Sequence, residues 1–154
     1  MVKLGLIVLG VVAAFWYVVI PLFERFAPRE VVRAYQRLTM PVFRPVCGIA
    51  PGYGVVETIG RRTGRPRQVP VGGGRIGDSF WLVAAIGREA YFVRNIEEDP
   101  RVRVRFGGRW HAGTARLCPD DDARRRMFRV SPMNGVFLWT VGGDPLSIRI
   151  DLDD

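Results

Sequence analysis

Arg101-Val102-Arg103-Val104-Arg105-Phe106-Gly107-Gly108-Arg109-Trp110-His111-Ala112-Gly113-Thr114-Ala115-Arg116-Leu117 decides the fold class. From Arg101 to Phe106 the period is two: arginines fall on one face and Val102, Val104 and Phe106 on the other, as in a half-buried antiparallel strand. Gly107-Gly108 then supplies a tight turn into a returning strand. Outward from this hairpin, short β-like runs alternate with Gly-rich turns: Tyr53 to Ile59, Arg67 to Ile76, Phe80 to Ile86, Arg109 to Leu117 and Leu146 to Leu152. With Arg101 to Phe106 these make six short strands, a mainly β (α+β) chain that suggests a barrel. Two short helices interrupt them. One covers Glu89 to Glu98 and stops before Pro100; the other starts at Asp120 to Asp122, acids at the positive end of a helix dipole, and continues through Arg129. No internal repeat or low-complexity segment is present.

Towards the N-terminus the pattern changes. Leu4 to Phe23 is twenty residues without a charge, about the length that crosses a hydrocarbon core of ~30 Å. The segment runs through Trp16, Tyr17 and Pro21 into Glu24 without a small-x-small cleavage site, so we expect residues 1–24 to be a retained membrane anchor rather than a signal peptide. An apolar helix docked on the domain or on a twin subunit is the alternative. Arg25, Arg29, Arg33 and Arg37 recur every four residues and form one stripe on a helix, suited to anionic headgroups or simply to water. Lys3 stands against these four arginines, so the positive-inside rule puts the following domain in the cytoplasm, at the cell membrane. Pro41, Pro45 and Pro51 with Gly48, Gly52 and Gly54 are expected to break any helix between Thr39 and Gly54. Residues 25–52 then read as a basic helix and linker, and 53–154 as the folded domain.

At 154 residues, 48% hydrophobic and 25% charged, the composition is that of one globular domain. The formal charge is +8, and Lys3 is the only lysine. Arginine matches phosphate and carboxylate bidentately, which points to an anionic partner; a genomic base-composition habit gives the same bias. Cys47 and Cys118 form no CxxC, and His111 is the single histidine. That excludes a zinc module, a disulfide scaffold and the usual Ser-His-Asp triad.

Glu57 to Pro70 carries the chemistry. Glycines bracket a turn, and Arg61, Arg62, Arg65 and Arg67 crowd it between two strands. Such a turn presents backbone N–H groups and guanidinium forks together to a phosphate, or else is a basic hairpin tip lying on lipid or RNA. Gly72-Gly73-Gly74 reads as a strand bulge or turn, because neither GKS/T nor a helix follows.

The TxGRRTGRPRxxP run from Thr58 to Pro70, the strand ending in Val83-Ala84-Ala85-Ile86-Gly87, the helix closing on Asn95 before Asp99-Pro100 and the hairpin of residues 101–117 together resemble the deazaflavin-dependent nitroreductase family. Those proteins are split β-barrels, of the flavin-reductase and pyridoxamine-phosphate-oxidase type, that use coenzyme F-420. The similarity covers Tyr53 to Leu117. It implies that Arg61, Arg62 and Thr63, with Arg67 beside them, hold the phosphate and acidic tail of the cofactor. Gln68, Val69, Pro70, Val71 and Gly72 would line the strand under the deazaflavin ring. Val83, Ala84, Ala85 and Ile86, with Tyr91, Phe92 and Asn95, would close the site. Family members often carry a serine and a lysine where Ala85 and Ile86 stand; Arg88 is the expected replacement for the missing base.

The resemblance implies an oxidoreductase that passes hydride from reduced F-420 to a lipophilic acceptor such as a quinone. The alternatives are an FMN-dependent reductase of the same fold, or a non-catalytic membrane-tethered protein binding a flavin, haem or lipid. We name no catalytic acid or base and no metal site. Expected partners are the deazaflavin, the acceptor and membrane lipid, with a homodimer possible. Nucleic acid is disfavoured because no stacking-aromatic motif accompanies the arginines. Tyr35, Phe43, Phe92, Phe137 and Trp139 are the candidates for an apolar acceptor pocket.

Overall fold

The computed structural model describes residues 26–141 and 143–153. The apolar segment from Leu4 to Phe23 and Arg25 lie outside the described residues. Among the described residues no helix is long and apolar enough to cross a membrane.

Six strands form a closed antiparallel barrel: β1 (Tyr53–Ile59), β2 (Pro66–Ile76), β3 (Ser79–Ala84), β4 (Arg101–Phe106), β5 (Arg109–Cys118) and β6 (Leu146–Leu152). The order around the barrel is β1-β2-β3-β6-β5-β4, with β4 closing on β1. The hairpin that dominates the sequence is β4–β5, in register from Arg101 opposite Thr114 to Phe106 opposite Arg109. Gly107 and Gly108 turn it at φ 56° and 82°, a region that a Cβ disfavours. As the two-residue period requires, Val102 and Val104 are buried and Arg101 and Arg103 exposed.

The barrel interior is filled by Val56, Phe80, Leu82, Val104, Ile148 and Ile150, each at most 1% exposed. Phe80 is the largest, and burying such a ring stabilises by roughly 2–3 kcal/mol. Gly73 makes room for it: a Cβ there would come within 2.8 Å of the ring and 2.5 Å of the Trp81 carbonyl. The Gly72-Gly73-Gly74 run is therefore neither bulge nor turn, but strand over which other groups pack closely.

Among the described residues four helices surround the barrel: α1 (Arg29–Cys47), α2 (Tyr91–Glu98), α3 (Ala123–Val130) and α4 (Pro132–Val141). A 3₁₀ turn (Gly87–Glu89) links β3 to α2. Asp122 caps α3, its side chain accepting the Arg125 N–H at 3.0 Å. Two expectations are corrected here. The chain does not break at Thr39, because α1 runs through Pro41 and Pro45 to Cys47. Both prolines are exposed, so water can solvate the carbonyls that lose their helical N–H partners. And β3 stops at Ala84 rather than Ile86, because Gly87 at φ 54° turns the chain into α2.

A second apolar cluster lies outside the barrel. Val83 of β3, Ala123 and Met127 of α3 and Leu138 of α4 pack together. This cluster holds α3 and α4 across one end of the barrel and creates a cleft beneath them.

Candidate functional site

The cleft has a volume of about 1060 Å³. It gathers segments that lie far apart in the sequence: the β1–β2 loop, β2, the end of β3, the start of α2, and α3 and α4. Arg61, Arg62, Thr63, Arg67, Gln68, Val69, Pro70, Val71 and Gly72 line one wall. Val83, Ala84, Ala85, Ile86, Tyr91, Phe92 and Asn95 line the other. Arg88 is the exception. Its guanidinium pairs with Glu97, and it is not part of the lining. Since α2 places Glu97 within reach, Arg88 is not positioned as a base over the cleft.

The β1–β2 loop is closed from within. Gly60 donates its N–H to the Arg65 carbonyl at 2.9 Å, and its own carbonyl accepts from Thr63 (3.0 Å) and Gly64 (2.7 Å). Gly64 sits at φ 63°, where no side chain is needed or welcome. The Arg65 N–H reaches Thr63 Oγ1 at 3.4 Å. The Arg61 N–H donates to Asn95 Oδ1 at 3.3 Å, while Asn95 Nδ2 donates to Thr58 Oγ1 at 3.0 Å. These bonds use most of the loop's N–H groups. An anion at this loop therefore meets guanidinium forks, where the sequence suggested backbone N–H groups and forks together.

Asn95 is only 7% exposed. Its two bonds tie the arginine loop and the end of β1 to α2, so it acts by positioning the loop. Arg61, Arg62, Arg65 and Arg67 have no acidic partner among the described residues. Gln68 points its amide to Glu57 Oε2 at 2.7 Å, which leaves its strand backbone as its part of the wall.

Away from the arginines the lining is mostly apolar, and the expected helix α3 and the unexpected helix α4 supply much of it. Met127, Phe137 and Leu138 come from α3 and α4, together with Asn134. Asn134 donates to the Gly52 carbonyl (3.1 Å) and to Ser131 Oγ (2.7 Å), fastening α4 over the barrel. Gly72 lets it do so: a Cβ there would lie 2.9 Å from the Asn134 amide. Of the acceptor-pocket candidates, Phe92 and Phe137 line the cleft, whereas Trp139 is 63% exposed on the outer side of α4. The side chains of Tyr35 and Phe43 lie outside the described residues. Among the described residues no carboxylate, imidazole or thiol lines the cleft, and there is no cluster of three or more metal-ligating side chains. The two thiols lie elsewhere, and burial pushes both Cys47 and Cys118 up.

A family model for F420H(2)-dependent quinone reductase matches residues 27–139. The chain belongs to this family. The match includes α1, both cleft walls and most of α4, and it ends before β6. Family membership makes the protein an F-420-dependent oxidoreductase with coenzyme F-420 as its cofactor. No curated protein matches the sequence. Among solved structures, an F420-H2 dependent reductase shares 17% identity over 66% of this chain and 96% of its own, with a TM-score of 0.51. A putative pyridoxamine 5′-phosphate oxidase from Listeria innocua shares 18% over 67% of this chain and 85% of its own, with a TM-score of 0.52. A domain-swapped dimer shares 14% over 77% of this chain and 98% of its own, also at 0.52. At these identities the likeness shows the fold.

The residues present fit the family's cofactor. A phosphodiester with a glutamate tail needs several cations that are not already neutralised, and Arg61, Arg62 and Arg67 are such a set at one end of the cleft. A flat ring needs an apolar slot, and Val69, Pro70, Val71 and Val83 to Ile86 flank one.

Proposed function

We propose that the protein reduces a lipophilic acceptor such as a quinone at the cytoplasmic face of the cell membrane, using hydride from reduced F-420. The bound deazaflavin supplies the hydride; the protein binds, orients and excludes water. One observation carries the reading: a single cleft joins an end with unpaired guanidinium groups to an apolar remainder walled by Phe92, Met127, Phe137 and Leu138.

Arg61, Arg62 and Arg67 hold the acidic tail, and Asn95 keeps their loop against α2. The β2 and β3 walls orient the ring, and the α3–α4 side is left for the acceptor. With Ala85 and Ile86 in place of a serine and a lysine, and Arg88 engaged by Glu97, no buried acid among the described residues lines the cleft. The proton that accompanies the hydride comes from water at the cleft mouth. The uncharged segment from Leu4 to Phe23 supports tethering to the bilayer, and the domain-swapped neighbour makes a homodimer reasonable.

Steady-state comparison of a menaquinone with its tail-less naphthoquinone, in detergent micelles with reduced F-420 as donor, tests the acceptor. The long-tailed substrate should have the higher kcat/KM, since burial gains about 25 cal/mol per Å² of apolar surface. Equal efficiency defeats the apolar acceptor, and turnover of neither favours a binding protein. Fluorescence titration with F-420 and FMN at two ionic strengths should give tighter, salt-weakened binding of F-420. Deleting residues 1–24 should release the protein from membranes at high salt, where headgroup attraction is screened, and leave that affinity intact.

A further inference from the structure

Helix α4 leaves an apolar face uncovered, and that face leads into the cleft. Residues 130–143 carry no charge. On one side of α4, Asn134, Phe137 and Leu138 line the cleft, and Gly135 is buried under the Phe128 ring. The remaining arc holds Pro132, Met133, Val136 and Trp139, all exposed, the last three at 50%, 51% and 63%. At 3.6 residues per turn Met133 adjoins Phe137, so the outer arc continues into the lining. Across the mouth, Ile86 and Tyr91 belong to the lining yet are 54% and 80% exposed. A continuous apolar strip of this kind marks a contact surface.

Its edge is basic. Arg125 and Arg129 lie one turn apart on α3, flanking Phe128, and both are exposed. Arg129 has no acidic partner among the described residues, and Arg125 meets exposed Asp122 at 3.4 Å. The Arg124 guanidinium stands 5.4 Å from the centre of the Trp139 ring and donates to the Leu138 carbonyl at 3.1 Å. The nearby acids are Asp120 and Asp122 at the start of α3 and Asp144 beyond α4. An uncharged helix with an outward tryptophan and arginines along its border is suited to the headgroup region of a bilayer. Self-pairing fits less well, because a two-fold contact through this face turns the same arginine edges towards each other.

We propose that α4 docks the barrel on an anionic phospholipid surface, with Met133, Val136 and Trp139 among the upper acyl chains and Arg125 and Arg129 at the headgroups. The cleft mouth then opens towards the lipid, and a lipid-dissolved acceptor reaches Phe137 without crossing water. This surface is separate from the Leu4 to Phe23 segment, and its purpose rests on the lipophilic acceptor proposed above.

The test uses the full chain on vesicles of phosphatidylcholine and phosphatidylglycerol with brominated acyl chains. The fluorescence of Trp139, taken as the difference between wild type and Trp139→Phe, should be quenched on these vesicles. Val136→Glu should lower kcat/KM for a vesicle-borne menaquinone by about tenfold, leaving F-420 affinity and turnover of the tail-less naphthoquinone unchanged. Unquenched Trp139 on vesicle-bound protein overturns the docking. So does a dimer in solution that Val136→Glu dissociates, which gives the face to a second copy. If neither quinone is reduced, the acceptor reading fails, and the quenching still decides the docking because it needs no turnover.

Discussion

The arginines of the β4–β5–β6 face and those of the β1–β2 loop are the same residue put to opposite uses. On the sheet face four of them answer acids, whereas Arg105, opposite Val55, and Arg109, opposite Phe106, have no acidic partner among the described residues. Arg103 reaches Glu57 at 3.1 Å, Arg101 reaches Asp99 at 2.9 Å, and Arg116 and Arg149 reach Asp151 at 3.2 and 2.6 Å. At the cleft, Arg61, Arg62 and Arg67 answer none. Strand register makes the difference: β1 and β4 set Glu57 directly opposite Arg103, and β5 and β6 set Asp151 opposite Thr114, close to Arg116. No strand crosses the β1–β2 loop that holds Arg61 and Arg62, and β1 sets neutral Thr58 opposite Arg67, so no acid is carried to them. The +8 charge is thus not spread evenly. Register neutralises much of it along the sheet and leaves it available at the cleft, where an anionic cofactor completes the balance.

The sharpest test of this contrast is the double variant Arg62→Ala/Arg67→Ala. With each charge-assisted contact worth roughly 1.5–3 kcal/mol, F-420 binding should weaken by about a hundredfold or more. Fluorescence titration reads it, and Tm should hold because neither side chain has an internal partner. An unchanged Kd in the folded variant moves the anion site elsewhere.

Asn95→Ala should affect both regions. It strips buried Thr58 and the Arg61 N–H of their partner, at about 1–3 kcal/mol of stability. It should also raise the F-420 Kd by loosening the loop. Denaturant unfolding together with titration separates it from the arginine variant, which changes affinity alone.

Gly73→Ala presses on Phe80 and the Trp81 carbonyl and should cost about 1–3 kcal/mol by overpacking, read as a fall in the unfolding midpoint.

Asp121→Asn probes a paired arginine that also packs. Arg126 donates to Asp121 (2.6 Å) and lies 3.8 Å over the Trp81 ring, and Ser147 donates to the same carboxylate at 2.6 Å. Hydrogen bonding from Arg126, aided by Ser147, holds the Asp121 carboxyl below its ordinary 3.8. Its stabilisation is therefore complete above the unfolded value and is lost as pH falls through the lower folded value. Asp121→Asn should cost about 1 kcal/mol near neutrality and flatten the acid limb of a stability-against-pH curve. The smallest effect is expected from Arg101→Ala. Its pair is exposed, and both Tm and F-420 affinity should stay as in wild type.

The barrel was legible because a strand half in water and half in the core must alternate. Arg101 to Phe106 does so, and β1, β4 and β6 fall at the expected boundaries. The arginine loop was legible because turn glycines and clustered guanidinium groups are local features. Helix α4 was not, because Pro132 to Val141 is apolar on every side and has no helical period to detect. With it went Asn134 and Leu138 as lining residues, and the division of Phe137 and Trp139 between cleft and surface. The continuation of α1 through Pro41 and Pro45 was equally hidden, since proline punctuates a sequence whether or not water can take up the freed carbonyls.

The sequence by itself determined the alternating strands, the turns and the local excess of positive charge, because each depends on neighbours a few residues apart. Only the tertiary structure decided which arginines stay unpaired, which face of α4 lines the cleft and why Arg88 does not. Pairing and burial depend on what the barrel brings across from β3, α2, α3 and β6, and that distance is set by closure of the sheet rather than by spacing along the chain.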